Sequence, residues 1–348
     1  MKNKESRTDV QFHLAALRGD CDRLRQLLDT GKVHIDSRDR DGTTPLILSA
    51  AMGHTACVRE LLAQGADPAC SRTTGTSALF FAAQGGFLDI VCRALVTAGA
   101  KVDSARADRA TPLWIAAQCG HQHVARLLLA AGAHVDHVRQ VSLIWLHTNS
   151  RKVDSARADR ATPLWIAAQC GHQHVARLLL AAGAHVDHVR QVSLIWLHTN
   201  SRKVDSARAD RATPLWIAAQ CGHQHVARLL LAAGAHVDHV RQVSLIWLHT
   251  NSRKVDSARA DRATPLWIAA QCGHQHVARL LLAAGNGQSA LHGACMFGQL
   301  ACARLLARRS PRSLRSCAGL TPLQAAAAAG KHDVVHYLRS LEQELHTS

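Results

Sequence analysis

The chain has 348 residues, 47% of them hydrophobic, and a formal net charge of +16. The longest apolar runs, such as Leu127–Ala131, are far too short to span a bilayer, and Met1–Asp9 lacks the apolar core of a leader peptide. Eleven cysteines are present without one C-x-x-C pair, and Cys57, Cys92, Cys119 and Cys302 fall in helical patterns, which argues against a disulfide framework and for reduced thiols.

The charge has to be read against a repeat. The block Lys101–Arg151 recurs without substitution at Lys152–Arg202 and Lys203–Arg253, and its beginning returns at Lys254–Gly285. Each full copy carries six basic and three acidic residues, so three copies give nine positive charges; the partial copy, with four bases and two acids, gives two more. The basic balance therefore chiefly restates the amplification and is weak grounds for expecting nucleic acid as a partner. The identical copies are either a recent duplication or an error in gene assembly. The second is preferred, and in both cases copy number says little about function.

In chain order, a polar tail over 1–8 precedes a first unit with the run Phe12–Ala16, the pair Gly19 and Asp20, and Leu24, Leu27 and Leu28 at helical spacing. A second unit runs from Gly42–Leu46 to Asp67, and a third from Gly75–Leu79 to Ala100. In the fourth, within the block, Thr111 suits a helix N-cap and Pro112 the first helical position, where a missing N–H costs nothing. Leu113, Ala116 and Ala117 share one face, Gly120 ends the helix, and a second helix follows from about Gln122 with Val124, Leu127 and Leu128 at helical spacing until Gly132. Two more units open at Gly287–Ala294 and Gly319–Ala326. Such a helix pair is too small to bury its apolar faces alone and must stack on its neighbours.

These residues resemble the ankyrin repeat, whose pattern runs G-x-T-P-L-H-x-A-A-x-x-G-H followed by an apolar helix ending in G-A-D. The resemblance implies an all-α solenoid of antiparallel helix pairs joined by hairpin fingers, about nine units in all. Repeats are expected over 9–285, two C-terminal repeats forming a separate cap over 286–341, and a tail over 342–348. Spacing supports the unit and exposes two departures. Leu46 to Leu79 is 33 residues and Leu79 to Leu113 is 34, but Leu113 to Leu164 is 51 and Leu266 to Leu291 only 25. The 18 extra residues are placed between Ala133 and Lys152, with His134–Asp136 as an inserted mimic of Lys152–Asp154. The short join at Gly285–Gly287 is expected to be the weakest point of the stack.

The inserted apolar run Val141–His147 is read as foreign sequence in a tolerant finger, with a docking ridge as the alternative. His121 and His123 lie at one end of a helix roughly 15 Å long and His134 and His137 at the other, so they cannot share an ion within a unit; no metal and no cofactor is expected. No nucleophile elbow, phosphate-binding loop, zinc-protease helix or kinase signature is present, so the chain is read as no enzyme.

The resemblance implies a protein partner bound on the concave face of finger tips and first helices. By position this gives Arg40, Asp41, Thr43, Ala51 and Met52 in the second unit, Thr73, Thr74, Thr76 and Gln84 in the third, and Ala107, Asp108, Ala110, Gln118 and Cys119 in the fourth; each could equally be an ordinary solvated residue. A basic solenoid binding nucleic acid or an anionic lipid surface is the alternative. No docking box for a ubiquitin ligase is evident after Leu323. The chain is expected to be cytoplasmic or nuclear and monomeric, without membrane insertion. Arg109 stands where the family has Gly, at a cost of about 1 kcal/mol if the turn needs positive φ. Trp114 replaces the family's His, which is expected to remove that side chain's hydrogen bond and add a large ring to bury.

Overall fold

A computed structural model describes residues 6–91, 98–139, 158–159, 161–188, 192–193, 212–238, 264–284, 290–310, 315–316 and 319–346. The chain divides into two compact units, one of Met1–Ala156 with Arg177–Ala184, the other of Arg157–Ala176 with His185–Ser348.

The first unit contains α1 (Arg7–Arg18), α2 (Cys21–Asp29), α3 (Pro45–Met52), α4 (Thr55–Ala63), α5 (Ala78–Gly85), α6 (Pro112–Cys119) and α7 (Gln122–Ala130). Pairing follows the chain: α1 packs on α2, α3 on α4 and α6 on α7, while the first helices stack in the order α1, α3, α5, α6 and α2 stacks on α4. The second unit holds the two-residue strands β1 (Ala158–Asp159) and β2 (Val192–Ser193), which pair antiparallel. Its helices are α8 (Pro163–Cys170), α10 (Pro214–Cys221), α11 (Gln224–Ala232), α12 (Pro265–Cys272), α13 (Gln275–Ala284), α14 (Ala290–Phe297), α15 (Leu300–Ala307), α16 (Pro322–Ala328) and α17 (His332–His346); α9 (Gln173–Ala181) has residues in both units. Here α8, α10, α12, α14 and α16 stack in order, beside α11, α13, α15 and α17.

The local signals act where the sequence placed them. Thr44, Thr111, Thr162, Thr213, Thr264 and Thr321 each cap a helix by accepting a hydrogen bond from the third helical amide, with proline at the helix start; Ser77 does the same for α5. Gly53, Gly86 and Gly120 then take φ of 81°, 72° and 79°, reversing the chain into the second helix. The core is apolar and repetitive: Leu46, Leu79, Leu113, Leu164 and Leu215 are all buried, as are Trp114, Trp165 and Trp216. Each such side chain contributes roughly 1.5–3 kcal/mol relative to exposure.

Four expectations are corrected. The N-terminal helix starts at Arg7, because Ser6 and Asp9 form a capping box, so the tail is shorter than 1–8. At the other end α17 continues to His346, past the limit of 341. Asn286 does not open a separate compact unit: α14 packs on α12 and α15 on α13 across the short join, within one unit. Gly285–Gly287 themselves lie outside the described residues.

The fourth correction concerns the finger register. The His134 amide reaches the Asp103 carboxylate at 3.2 Å, as the Asp67 amide reaches Asp36 two joints earlier. Five residues on, the Arg139 guanidinium lies 4.7 Å from the Trp114 ring centroid, as Arg106 lies 5.7 Å from Phe80. His134–Arg139 thus fill the regular first arm of the finger and are no insert. The extra residues follow Arg139 and, with Val141–His147, lie outside the described residues. The second unit agrees, since the His236 amide reaches Asp187 at 3.2 Å.

Candidate interaction surface

Two contacts repeat along the stack and set what is left for a partner. At the helix-to-helix turn, the residue after the positive-φ glycine lays its side chain over the equivalent glycine of the preceding repeat. A Cβ on Gly19 would come 2.6 Å from His54, one on Gly86 2.6 Å from His121, and one on Gly222 2.5 Å from His274. The same rings donate from Nε2 to a carbonyl two residues before that glycine: His54 to Leu17, His121 to Gln84, His223 to Gln169 and His274 to Gln220, all at 3.0 Å. Gln299 repeats the contact with its amide on the Gln271 carbonyl, at 3.2 Å. His121 is thereby held as a joint between repeats.

The second contact runs from the residue after the Leu of the first helix to the carbonyl preceding the next N-cap. His13 bonds the Thr43 carbonyl at 3.2 Å and His292 the Leu320 carbonyl at 3.0 Å. Trp165 gives its indole N–H to the Ala212 carbonyl at 3.1 Å. This corrects the expectation that tryptophan at this position forfeits the hydrogen bond: the indole reaches the same acceptor and buries its ring as well. Gly293 accommodates the ring in the last copy, since a Cβ there would stand 3.1 Å from the Trp267 indole nitrogen.

Two of the described fingers are joined to the next repeat through a backbone hydrogen bond. The Thr73 amide donates to the Asp41 carbonyl at 2.9 Å and the Ala107 amide to the Thr74 carbonyl at 2.8 Å. Arg72 pairs with Asp41 at 2.9 Å, while Asp108 receives both Arg106 and Arg139 at 2.9 Å. Arg109 has φ 60°, the only positive value on a non-glycine among the described residues, at the position where Gly42 and Gly75 both have 76°. The turn does need positive φ, as expected from the departure.

These geometries sort the positions carried over from the resemblance. Arg40, Asp41, Met52, Thr73, Thr74, Gln84, Ala107 and Cys119 are exposed, Met52 by 53%. Ala51, Asp108 and Gln118 are half-buried. Thr43, Thr76 and Ala110 are buried and offer no side-chain surface, which corrects their inclusion. They sit between the finger glycine or Arg109 and the helix cap, where the chain turns inward; Asp39 accepts from the Thr43 amide at 2.7 Å and tightens that corner.

Burial pushes the Cys295 thiol up to about 12 and those of Cys57 and Cys302 to about 11, which keeps them protonated and poor nucleophiles. The exposed Cys119 and Cys272 thiols are also raised by partial burial. His134 and His236 are raised by their hydrogen bonds to Asp103 and Asp187. His137 is lowered, by burial first and then by Arg109. Of the histidines at the two ends of the second helix, His121 and His134 are held in contacts between repeats.

A solenoid of capped helix pairs whose joints are made by turn side chains and finger backbones defines the class of this protein. Models of ankyrin repeats match residues 12–91, 61–139, 140–241, 193–287, 243–313 and 283–347. The chain belongs to the ankyrin-repeat family, whose members generally mediate protein–protein interactions and are generally non-catalytic. It is 53% identical over 53 residues to human ankyrin repeat domain-containing protein 29, covering 15% of this chain and 18% of that one. It is 36% identical over 148 residues to human ankyrin repeat and SOCS box protein 18, covering 42% and 28% respectively. Over 123 residues it is 37% identical to cyclin-dependent kinase 4 inhibitor B of Bos taurus, covering 35% of this chain and 92% of that protein. The chain therefore spans less than a third of the length of the first two relatives. The human ASB11 ankyrin repeat domain shares the fold, with a TM-score of 0.56 at 24% identity over 79% of this chain and 98% of that domain. No helix among the described residues is long and apolar enough to cross a membrane.

Proposed function

We propose that the chain is a non-catalytic scaffold that holds another protein against the concave face formed by its finger tips and first helices. The carrying observation is a division of labour within the first unit. Positions that repeat from joint to joint are spent on packing, whereas the position held by Arg40, Thr73 and Ala107 and that held by Met52, Gly85 and Cys119 change in every repeat and are exposed. Variation on a rigid repeated frame is what gives a binding face its specificity, and a large exposed side chain such as Met52 adds adaptable apolar area. The protein acts in the cytoplasm or nucleus, as a monomer and without a cofactor.

Immobilised full-length chain should retain a protein partner, and Met52→Arg combined with Thr74→Arg should release it without changing the unfolding midpoint. Retention by the double variant would place the partner elsewhere. Binding that disappears between low and moderate salt and is reproduced by nucleic acid or anionic vesicles would favour the basic-solenoid alternative.

A further inference from the structure

The outer side of α1 is a second surface with its own chemistry. At about 100° per residue, Val10, Leu14 and Leu17 fall within a sector about 60° wide, opposite the buried Phe12, Ala15 and Ala16. All three aliphatic side chains are exposed, at 41%, 40% and 38%, so this helix is apolar on both sides. The contrast with later repeats explains why. Leu14 is the positional equivalent of Leu48, Phe81 and Ile115; the first two are half-buried and Ile115 is only 7% exposed. Leu48 lies on α3, against which α1 itself packs. Among the described residues, Leu14 on α1 is left open at that position.

The edge of the stripe is charged with one sign. Arg7 and Arg18, at opposite ends of α1, lie beside it at that same helical pitch and are exposed. Neither makes an ion pair among the described residues. The one carboxylate of α1 is turned away: Asp9 closes the capping box, accepting from the Ser6 amide at 3.3 Å. The nearby Asp20 is committed to the start of α2, accepting from the Arg23 amide at 2.9 Å.

We propose that this face docks an acidic amphipathic helix of a partner protein, separately from the concave face. A helix is the fitting occupant because α3, α5 and α6 each have the preceding first helix packed against them. Its aliphatic stripe covers Val10, Leu14 and Leu17, and carboxylates spaced by roughly three turns meet Arg7 and Arg18, which stand about 16 Å apart along the axis. The two guanidinium groups fix its register and disfavour basic helices, since like charges at the ends repel.

The test uses the full chain and a fluorescently labelled helical peptide of alanine and leucine with glutamates near both ends, followed by anisotropy. The parent should bind it, and should bind the peptide with lysine in place of glutamate at least tenfold more weakly. Leu14→Gln with Leu17→Gln should weaken the acidic peptide by tenfold or more. Arg7→Glu with Arg18→Glu should reverse the preference, so that the lysine peptide binds better. Thr74→Arg with Cys119→Arg, on the concave face, should leave the affinity unchanged, which separates this docking from the function proposed above. Because all substituted side chains are exposed, each variant should keep the parent unfolding midpoint. Absence of parental binding, or binding insensitive to the leucine and arginine changes, would overturn the proposal. So would self-association in sedimentation that Leu14→Gln abolishes, since a second copy would then cover the face.

Discussion

Two neighbouring joints of the first unit each keep what the other has replaced. Between the second and third repeats the finger glycines Gly42 and Gly75 are intact, but the turn histidine is Phe87, whose ring stands 2.8 Å from where a Cβ on Gly53 would be. Between the third and fourth the turn histidine His121 is intact, but the fourth finger carries Arg109 at φ 60°. Phe87 preserves the packing over the glycine and gives up a donor for the matching carbonyl, that of Ala51. Arg109 preserves the turn and accepts backbone strain instead. A repeat joint is therefore not one interaction but several separable ones, and losing any single one leaves the stack intact because nearest-neighbour contacts add.

The largest break should come from the feature both joints share. Gly86→Ala places a Cβ at φ 72° and 2.6 Å from the His121 ring, and Gly53→Ala one 2.8 Å from Phe87. Each should cost about 2 kcal/mol or more in denaturant unfolding. Gly132→Ala, at φ 87° with nothing within 4 Å, should cost only about 1 kcal/mol. Equal losses would mean that backbone strain alone, and not the covering ring, explains the glycine.

Exchanging the turn residues sharpens the contrast. His121→Phe strips the Gln84 carbonyl of its donor and should lose about 1 kcal/mol, while Phe87→His, given a carbonyl to reach, should be neutral or gain up to about 1 kcal/mol. A gain in both directions would show that the ring's area outweighs its hydrogen bond. Arg109→Gly should stabilise by about 0.5–1 kcal/mol through release of the positive-φ strain, seen as a higher midpoint at unchanged slope.

The smallest effect is electrostatic. His134 and His236 have pKa values raised by Asp103 and Asp187, so each folded state holds its proton more tightly than the unfolded chain. Their contribution is fully present below the ordinary histidine value and is lost as pH rises through the raised one. His134→Gln should remove that part of the pH dependence of unfolding, and the His134 ring should titrate above His137, whose pKa is lowered.

Much of this was written locally. The Thr-Pro starts, the glycine stops and the helical spacing of Val124, Leu127 and Leu128 depend on neighbours within one or two turns, so the helix pairs and the need to stack them could be read directly. Arg109 could also be read, because a side chain at a glycine position carries its strain in its own dihedral. What a face exposes could be read only in part. Met52, Gln84 and Cys119 were implied by the family resemblance and are exposed, but the burial of Thr43, Thr76 and Ala110 depends on how the finger folds over the cap. The open face of α1 could not be read: Val10, Leu14 and Leu17 are apolar residues like those of the core, and only the packing of the helix shows that this side lies exposed.

The sequence by itself determined the repeat unit, its family and the order of stacking, because caps, breaks and apolar period act over a few residues. Tertiary structure decided which of two similar segments, His134–Asp136 or Lys152–Asp154, serves as the finger arm beside Asp103. It also decided that an indole could take over a histidine's hydrogen bond, as Trp165 does. Both were settled by contacts between residues 31 and 47 positions apart, where only the packed neighbour supplies the acceptor.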